Sequence, residues 1–199
     1  AGNNFGSASR NEERADRKIE DGNPLYAAAV KLFDTKTPVV GAIQGAAVGG
    51  GFGLAVMPDF RVVCPEARFT ANFVKLGFHP GFGLTHTLPR LIGQQKASML
   101  FLTGRRISGQ EAFDMGLIDQ VVKPEDLHET AMEMALNLSK GATKAYGAVK
   151  TLLSDTFSSS LESHLEQEAR NLNIRAQGHD GKEGVKAFVE KRKPNFKGY

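Results

Sequence analysis

The sequence predicts an α/β fold, and two stretches carry that expectation. In "GAIQGAAVGGGFGLAV", residues 41–56, a short β-branched run beginning at Val39 leads into three consecutive glycines, Gly49 to Gly51, after which the apolar spacing turns helical. "FRVVCPEARFTA" then supplies two short strand candidates separated by Pro65 and Glu66. Strand, glycine turn, helix and strand between Val39 and Val63 call for a parallel crossover, because parallel strands are joined by a helix rather than a hairpin.

The flanking elements follow in order. "SRNEERADRKIEDG" is dense in charge and poor in apolar residues, as expected of a solvated segment. "PLYAAAVKLFDT" places Leu25, Ala28, Ala29, Leu32 and Phe33 at helical spacing, and Pro38 opens the buried strand that follows. Pro58 blocks extension of the helix after the glycines. "NFVKLGFHPGFGLTHTLPRLIG" reads as a loop and the start of a helix lining a cavity. "QQKASMLFLTG" is a helix stopped at Gly104, and "SGQEAFDMGL" opens the next with Ser108 and Glu111 in a capping box. "IDQVV" is a short strand. From Pro124 onward the chain reads as helices with short loops.

Composition bounds the function classes. The 199 residues, 41% hydrophobic and 24% charged, suit one sizeable core with an appended helical part. With 25 Lys and Arg against 22 Asp and Glu, the positive charge is scattered until the tail, which argues against a nucleic-acid surface. The lone Cys64 excludes a disulfide framework and reads as a core residue. That cysteine usage makes the cytoplasm the expected compartment, and since no apolar run reaches the roughly 20 residues of a membrane span, a soluble protein with no membrane partner is expected. The chain opens without methionine in a loop-like composition, as a truncated or incompletely recorded chain would.

Glycine where a strand runs into a helix permits tight turns and bares N–H groups at the positive helix end. Such a turn can cradle phosphate, form an oxyanion hole, or pack strand against helix. "GAAVGGG" lacks the Lys-Ser/Thr of a P-loop, and no acid stands at dinucleotide-fold distance. Close packing remains open, but an oxyanion hole fits better: its amides would face a carbonyl that gains negative charge during reaction.

"KTPVVGAIQGAAVGGGFGLAVMPDFRVV", "ARFTANFVKLGFHPGFGLTHTLPRLIG", "LFLTGRRISGQEAFDMGLIDQVV" and "GKEGVKAFVEKRKPNFKGY", taken together, resemble the crotonase superfamily of enoyl-CoA hydratases and isomerases. The resemblance implies a spiral of ββα units over residues 1–122, forming the acyl-CoA-binding core, and a C-terminal helical oligomerisation (trimerisation) region over 123–199. It implies acyl-CoA thioester substrates, homotrimers or homohexamers, and no cofactor or metal beyond the coenzyme A carried by the substrate. Since the family carries several strands and a helix before the segment matching "AGNNFGSAS", those N-terminal strands are expected to be missing from this chain. Matched by position, Gly50 supplies one oxyanion-hole N–H and Ser9 of "FGSASR" the other. Ser7 falls where the family's main chain meets the CoA adenine. Phe188 and Lys191 match positions that reach CoA bound to a neighbouring subunit.

The chain departs from the family where the hydratases keep two glutamates, one activating water and one moving the proton at the α-carbon. The first position is Gly53 and the second Phe73. Pro80 and Gly81, where other members carry an aspartate, offer no carboxylate either. His79 is the candidate acid/base because imidazole titrates near neutral pH, with His86 behind it. Phe52 and Phe73 suggest an apolar pocket for a bulky acyl group. Two readings follow: an acyl-CoA enzyme of hydratase, isomerase, decarboxylase or thioesterase type, or a non-catalytic acyl-CoA-binding protein of the same fold.

Overall fold

The computed structural model describes residues 24–156 and 158–199; Ser7, Ser9 and the charged segment up to Gly22 fall outside them. The described chain packs as two compact units, one of residues 24–33 and 40–131, the other of residues 34–39 and 132–199.

In chain order the first unit contains α1 (Pro24–Phe33), β1 (Val40–Ile43), β2 (Ala46–Val48), α2 (Gly50–Ala55), β3 (Phe60–Val63) and β4 (Arg68–Thr70). A 3-10 turn (Asn72–Leu76), α3 (Leu84–Ile92), α4 (Gln94–Thr103), β5 (Arg106–Ser108), α5 (Gly109–Asp114) and β6 (Gln120–Val121) follow. A second 3-10 turn (Pro124–Asp126) leads into α6 (Leu127–Ser139). The expected parallel crossover is present: β1 and β3 run parallel with Val40 opposite Phe60, and β6 joins β3 with Val62 opposite Gln120. A second sheet has the order β2, β4, β5, parallel at Ala46 opposite Arg68 and antiparallel at Phe69 opposite Ile107.

The single buried strand read before the glycines is in fact two strands in two sheets. The break has a physical cause. Pro65, which has no N–H to donate, interrupts β3 and β4, and the turn closes with the Ala67 N–H on the Cys64 carbonyl. At the same level the Gln44 carbonyl accepts the Cys64 thiol, and pairing resumes from the Arg68 N–H to the Gly45 carbonyl. β1 is also only half-buried, with Ala42 exposed. β5 was not legible as a strand, having three residues and no room for alternation, yet its Ile107 is fully buried.

One apolar cluster holds this unit, with Phe52, Phe69, Leu84, Leu88, Leu100, Ile107 and the expected Cys64 in its interior. The Phe52 and Phe69 rings stand 5.4 Å apart, tilted by 50°, a favourable aromatic pairing. Arg61 is buried at its edge and donates to the Leu117, Val56 and Pro58 carbonyls, tying the end of α2 to the chain before β6. Burial draws its guanidinium pKa down, while Asp119 and Asp59 act the other way. The capping box forms as read: Ser108 Oγ accepts the Glu111 N–H and the Glu111 carboxylate accepts the Ser108 N–H.

The second unit adds α7 (Thr143–Asp155), α8 (Leu161–Gln177) and α9 (His179–Val189). Ser160 caps α8 by accepting the Ser163 N–H. The tail returns onto α9, where Asp180 accepts the Lys197 and Gly198 N–H groups and Glu183 forms a two-pronged pair with Arg192. No helix among the described residues is long and apolar enough to cross a membrane.

Candidate active site

The glycine turn divides its labour among distinct residues. Gly49 leaves β2 at φ 57° and ψ −121°, a backbone region that a side chain forbids. Its N–H donates to the Thr70 carbonyl at 2.9 Å, and its own carbonyl accepts the N–H groups of Phe52 and Gly53. Gly50 is the first residue of α2, so its N–H has no partner inside the helix. Among the described residues no acceptor meets that N–H, and a Cβ built on Gly50 would touch nothing within 4 Å. Close packing therefore does not explain Gly50, whose N–H also meets no acceptor among the described residues.

Gly53, by contrast, is a packing glycine. A Cβ there would lie 2.7 Å from Phe82 Cδ1 and 2.8 Å from the Phe82 carbonyl oxygen. The family's first glutamate position is thus occupied by another residue's main chain. Phe82 itself is held at φ 55°, a conformation that costs a bulky residue about 1–2 kcal/mol, and its ring leans on Phe33 at 6.4 Å. No pattern in the sequence points to this partner, since contact between Gly53 and Phe82 requires the turn into α3 to fold back over α2.

At the second glutamate position, Phe73 lies in the first 3-10 turn with its ring edge 3.6 Å from the Cβ position of Gly49. An apolar ring rather than a carboxylate borders the glycine turn. The pairing of Phe52 with Phe73 as two walls of one pocket needs correction: Phe52 is 1% exposed and packs in the core, its ring against Phe69.

His79 is exposed on the loop before α3, and its Nδ1 lies 2.9 Å from the Pro80 carbonyl. A carbonyl can only accept, so Nδ1 is the donor of this bond. His86 is exposed on α3; partial desolvation and then Arg90 lower its pKa, which favours the neutral ring.

Phe188 and Lys191 stand in the second unit. Phe188 is 85% exposed on α9. Lys191 follows α9 at φ 53°, with its N–H on the Phe188 carbonyl and the Arg192 N–H on that of Ala187. This is a Schellman cap with lysine in the left-handed position that glycine usually takes.

Two three-stranded sheets built mostly of parallel pairs, with a glycine turn leading into α2, are the fold this chain shares with the crotonase class. The enoyl-CoA hydratase/isomerase family model matches residues 1–199, and the chain belongs to that family. It is 38% identical over 162 residues to a Bacillus subtilis (strain 168) protein named "probable enoyl-CoA hydratase", spanning 81% of this chain and 63% of that protein. It is 35% identical over 176 residues to the 1,2-epoxyphenylacetyl-CoA isomerase of Escherichia coli K12, covering 88% and 66%. Among solved structures, that of "enoyl-CoA hydrates subunit I" from Geobacillus kaustophilus HTA426 superposes with a TM-score of 0.86 at 35% identity, over 94% of this chain and 74% of the other. The chain therefore spans somewhat less than two thirds of the first two of these proteins.

Proposed function

We propose that the protein binds acyl-CoA thioesters and acts on them as an enzyme of hydratase/isomerase type, with the Gly50 N–H stabilising the oxyanion of a thioester enolate. The observation that carries this reading is the unpartnered Gly50 N–H, at a residue with open space on its Cβ side and on a turn that Gly49 sets. A preorganised donor aimed at a developing oxyanion contributes roughly 2.7–4 kcal/mol. Ser9 is the proposed second donor and Ser7 the proposed adenine contact, both by family position and both outside the described residues.

Hydration through two glutamates is not available at Gly53 and Phe73. His79, its Nδ1 held by the Pro80 carbonyl, is the proposed acid/base, and Phe73 the proposed apolar wall beside the acyl group. Phe188 and Lys191 are proposed to meet CoA bound to a neighbouring copy in a homotrimer or homohexamer. The exposed Val185, Phe188 and Val189 on α9 support an assembled state, since such side chains gain by burial.

The closed Gly53 position favours one second reading, an acyl-CoA-binding protein of this fold that performs no chemistry. Mass-spectrometric product analysis over saturated, enoyl, aryl and malonyl-type CoA thioesters, with binding followed in parallel, separates the two. Product from any thioester supports the enzyme. Binding without product supports the second reading, and absence of binding refutes both.

A further inference from the structure

The second unit contains a cavity of about 540 Å³ bordered by Lys36, Lys144 and Arg175, with Thr143, Thr151 and Asn171 completing much of its wall. Three cations line it and no carboxylate does. The nearest acids of α9 are committed elsewhere: Asp180 to the Lys197 and Gly198 N–H groups, Glu183 to Arg192. Arg175 Nε is sealed from solvent and has no hydrogen-bond partner among the described residues. A guanidinium N–H in that state lacks the acceptor that buried donors almost always find.

Thr151 Oγ donates to the Gly147 carbonyl and Asn171 Nδ2 to that of Gln167, so each of these side chains is anchored to its own helix. The cavity also meets the start of α7, whose N-cap, Ala142, has no side chain able to accept. The Ala142 carbonyl takes the N–H groups of Ala145 and Tyr146, so those of Thr143 and Lys144 remain at the positive helix end. Three cations and the first amides of α7 thus border one space that no carboxylate lines.

We infer that this cavity is an anion site for a phosphate group, held by Arg175, Lys144 and Lys36 at the N-terminus of α7. It stands on the geometry of the second unit alone and does not depend on the acyl-CoA reading. Phosphate suits it because its several oxygens can accept from the guanidinium, the two ammonium groups and the helix amides together.

The test is titration calorimetry of the full chain with inorganic phosphate, in chloride buffer of matched ionic strength. One phosphate per chain is expected, with affinity reduced at least about tenfold in Arg175→Gln and to a smaller degree in Lys144→Gln. Should Arg175→Gln fail to fold, a Lys36→Gln/Lys144→Gln variant, altered at two exposed positions, carries the same test. Absence of phosphate binding, or binding equal in the wild type and these variants, overturns the inference. Repeating the titration with CoA present separates the sources: displacement identifies a phosphate borne by CoA, and unchanged binding a free phosphate.

Discussion

Each of the two units of the chain has its own means of internal cohesion. The first encloses a continuous apolar cluster that includes Phe52, Phe69, Leu88 and Leu100. In the second, Ala187 is the one fully buried apolar side chain among the described residues, while Leu153, Leu161, Leu172, Phe188 and Val189 stand mostly in solvent. Its tail is fastened by carboxylates instead. The glycine turn thus sits on a rigid apolar scaffold, as a preorganised donor requires. The helical unit exposes the apolar surface that the proposed assembly would cover.

Truncation inside the scaffold should have the largest effect on stability. Leu100→Ala or Phe69→Ala is expected to cost about 3–5 kcal/mol in chemical denaturation. Phe188→Ala should leave the unfolding free energy of the isolated chain nearly unchanged and lower only the apparent mass in solution. Equal destabilisation by the two kinds of variant would erase the contrast between the units.

Next comes restoration of the missing carboxylate. Gly53→Glu should destabilise by about 1–3 kcal/mol, because the Phe82 main chain cannot withdraw as a flexible side chain could. Adding Phe82→Gly should recover part of that loss by opening the space and removing a positive-φ side chain. A Gly53→Glu variant as stable as the parent would show that the loop yields freely.

The tail fastening depends on pH. Burial alone would raise the Asp180 pKa, but hydrogen bonds from the Lys197 N–H, His179 and the Gly198 N–H outweigh it and leave the pKa lowered. Glu183 is lowered to about 2, chiefly by Arg192 and then by the Asn195 N–H. Both folded-state values lie below the unfolded ones, so the fastening is complete above about pH 4.5 and is lost as pH falls through the folded values. The amide resonance of Asn195 should titrate near 2 and that of Gly198 below the ordinary aspartate range. Midpoints near about 3.9 for Asp and 4.3 for Glu would contradict the fastening.

The smallest effect is a gain. Lys191→Gly should stabilise by about 1 kcal/mol by relieving φ 53°, raising Tm by roughly 2–4 °C. On the proposed role of Lys191 it should also weaken CoA binding. A gain in stability with unchanged CoA affinity would remove that role.

Periodicity and punctuation made the helices legible: Gly104 stops α4, Ser108 and Glu111 cap α5, and Ser160 opens α8. The parallel crossover followed from a strand, a glycine turn and a helix in succession. The break between β1 and β2 was not legible, because it arises from Pro65 on neighbouring strands rather than from any residue within the run. Gly50 and Gly53 looked alike as letters. The space beside each, open at one and filled by Phe82 at the other, exists only after α3 folds back.

The central claim is that the Gly50 N–H carries catalysis, and Gly50→Pro tests it most directly. Proline is well accepted at the first position of a helix and removes that one donor, while Gly50→Ala keeps the donor and places its methyl in open space. Measured on a thioester that the parent converts, turnover should fall about 100- to 1,000-fold in Gly50→Pro. Thioester binding should persist, and Gly50→Ala should stay close to the parent. Equal turnover in Gly50→Pro and Gly50→Ala, with both folded, would contradict the account.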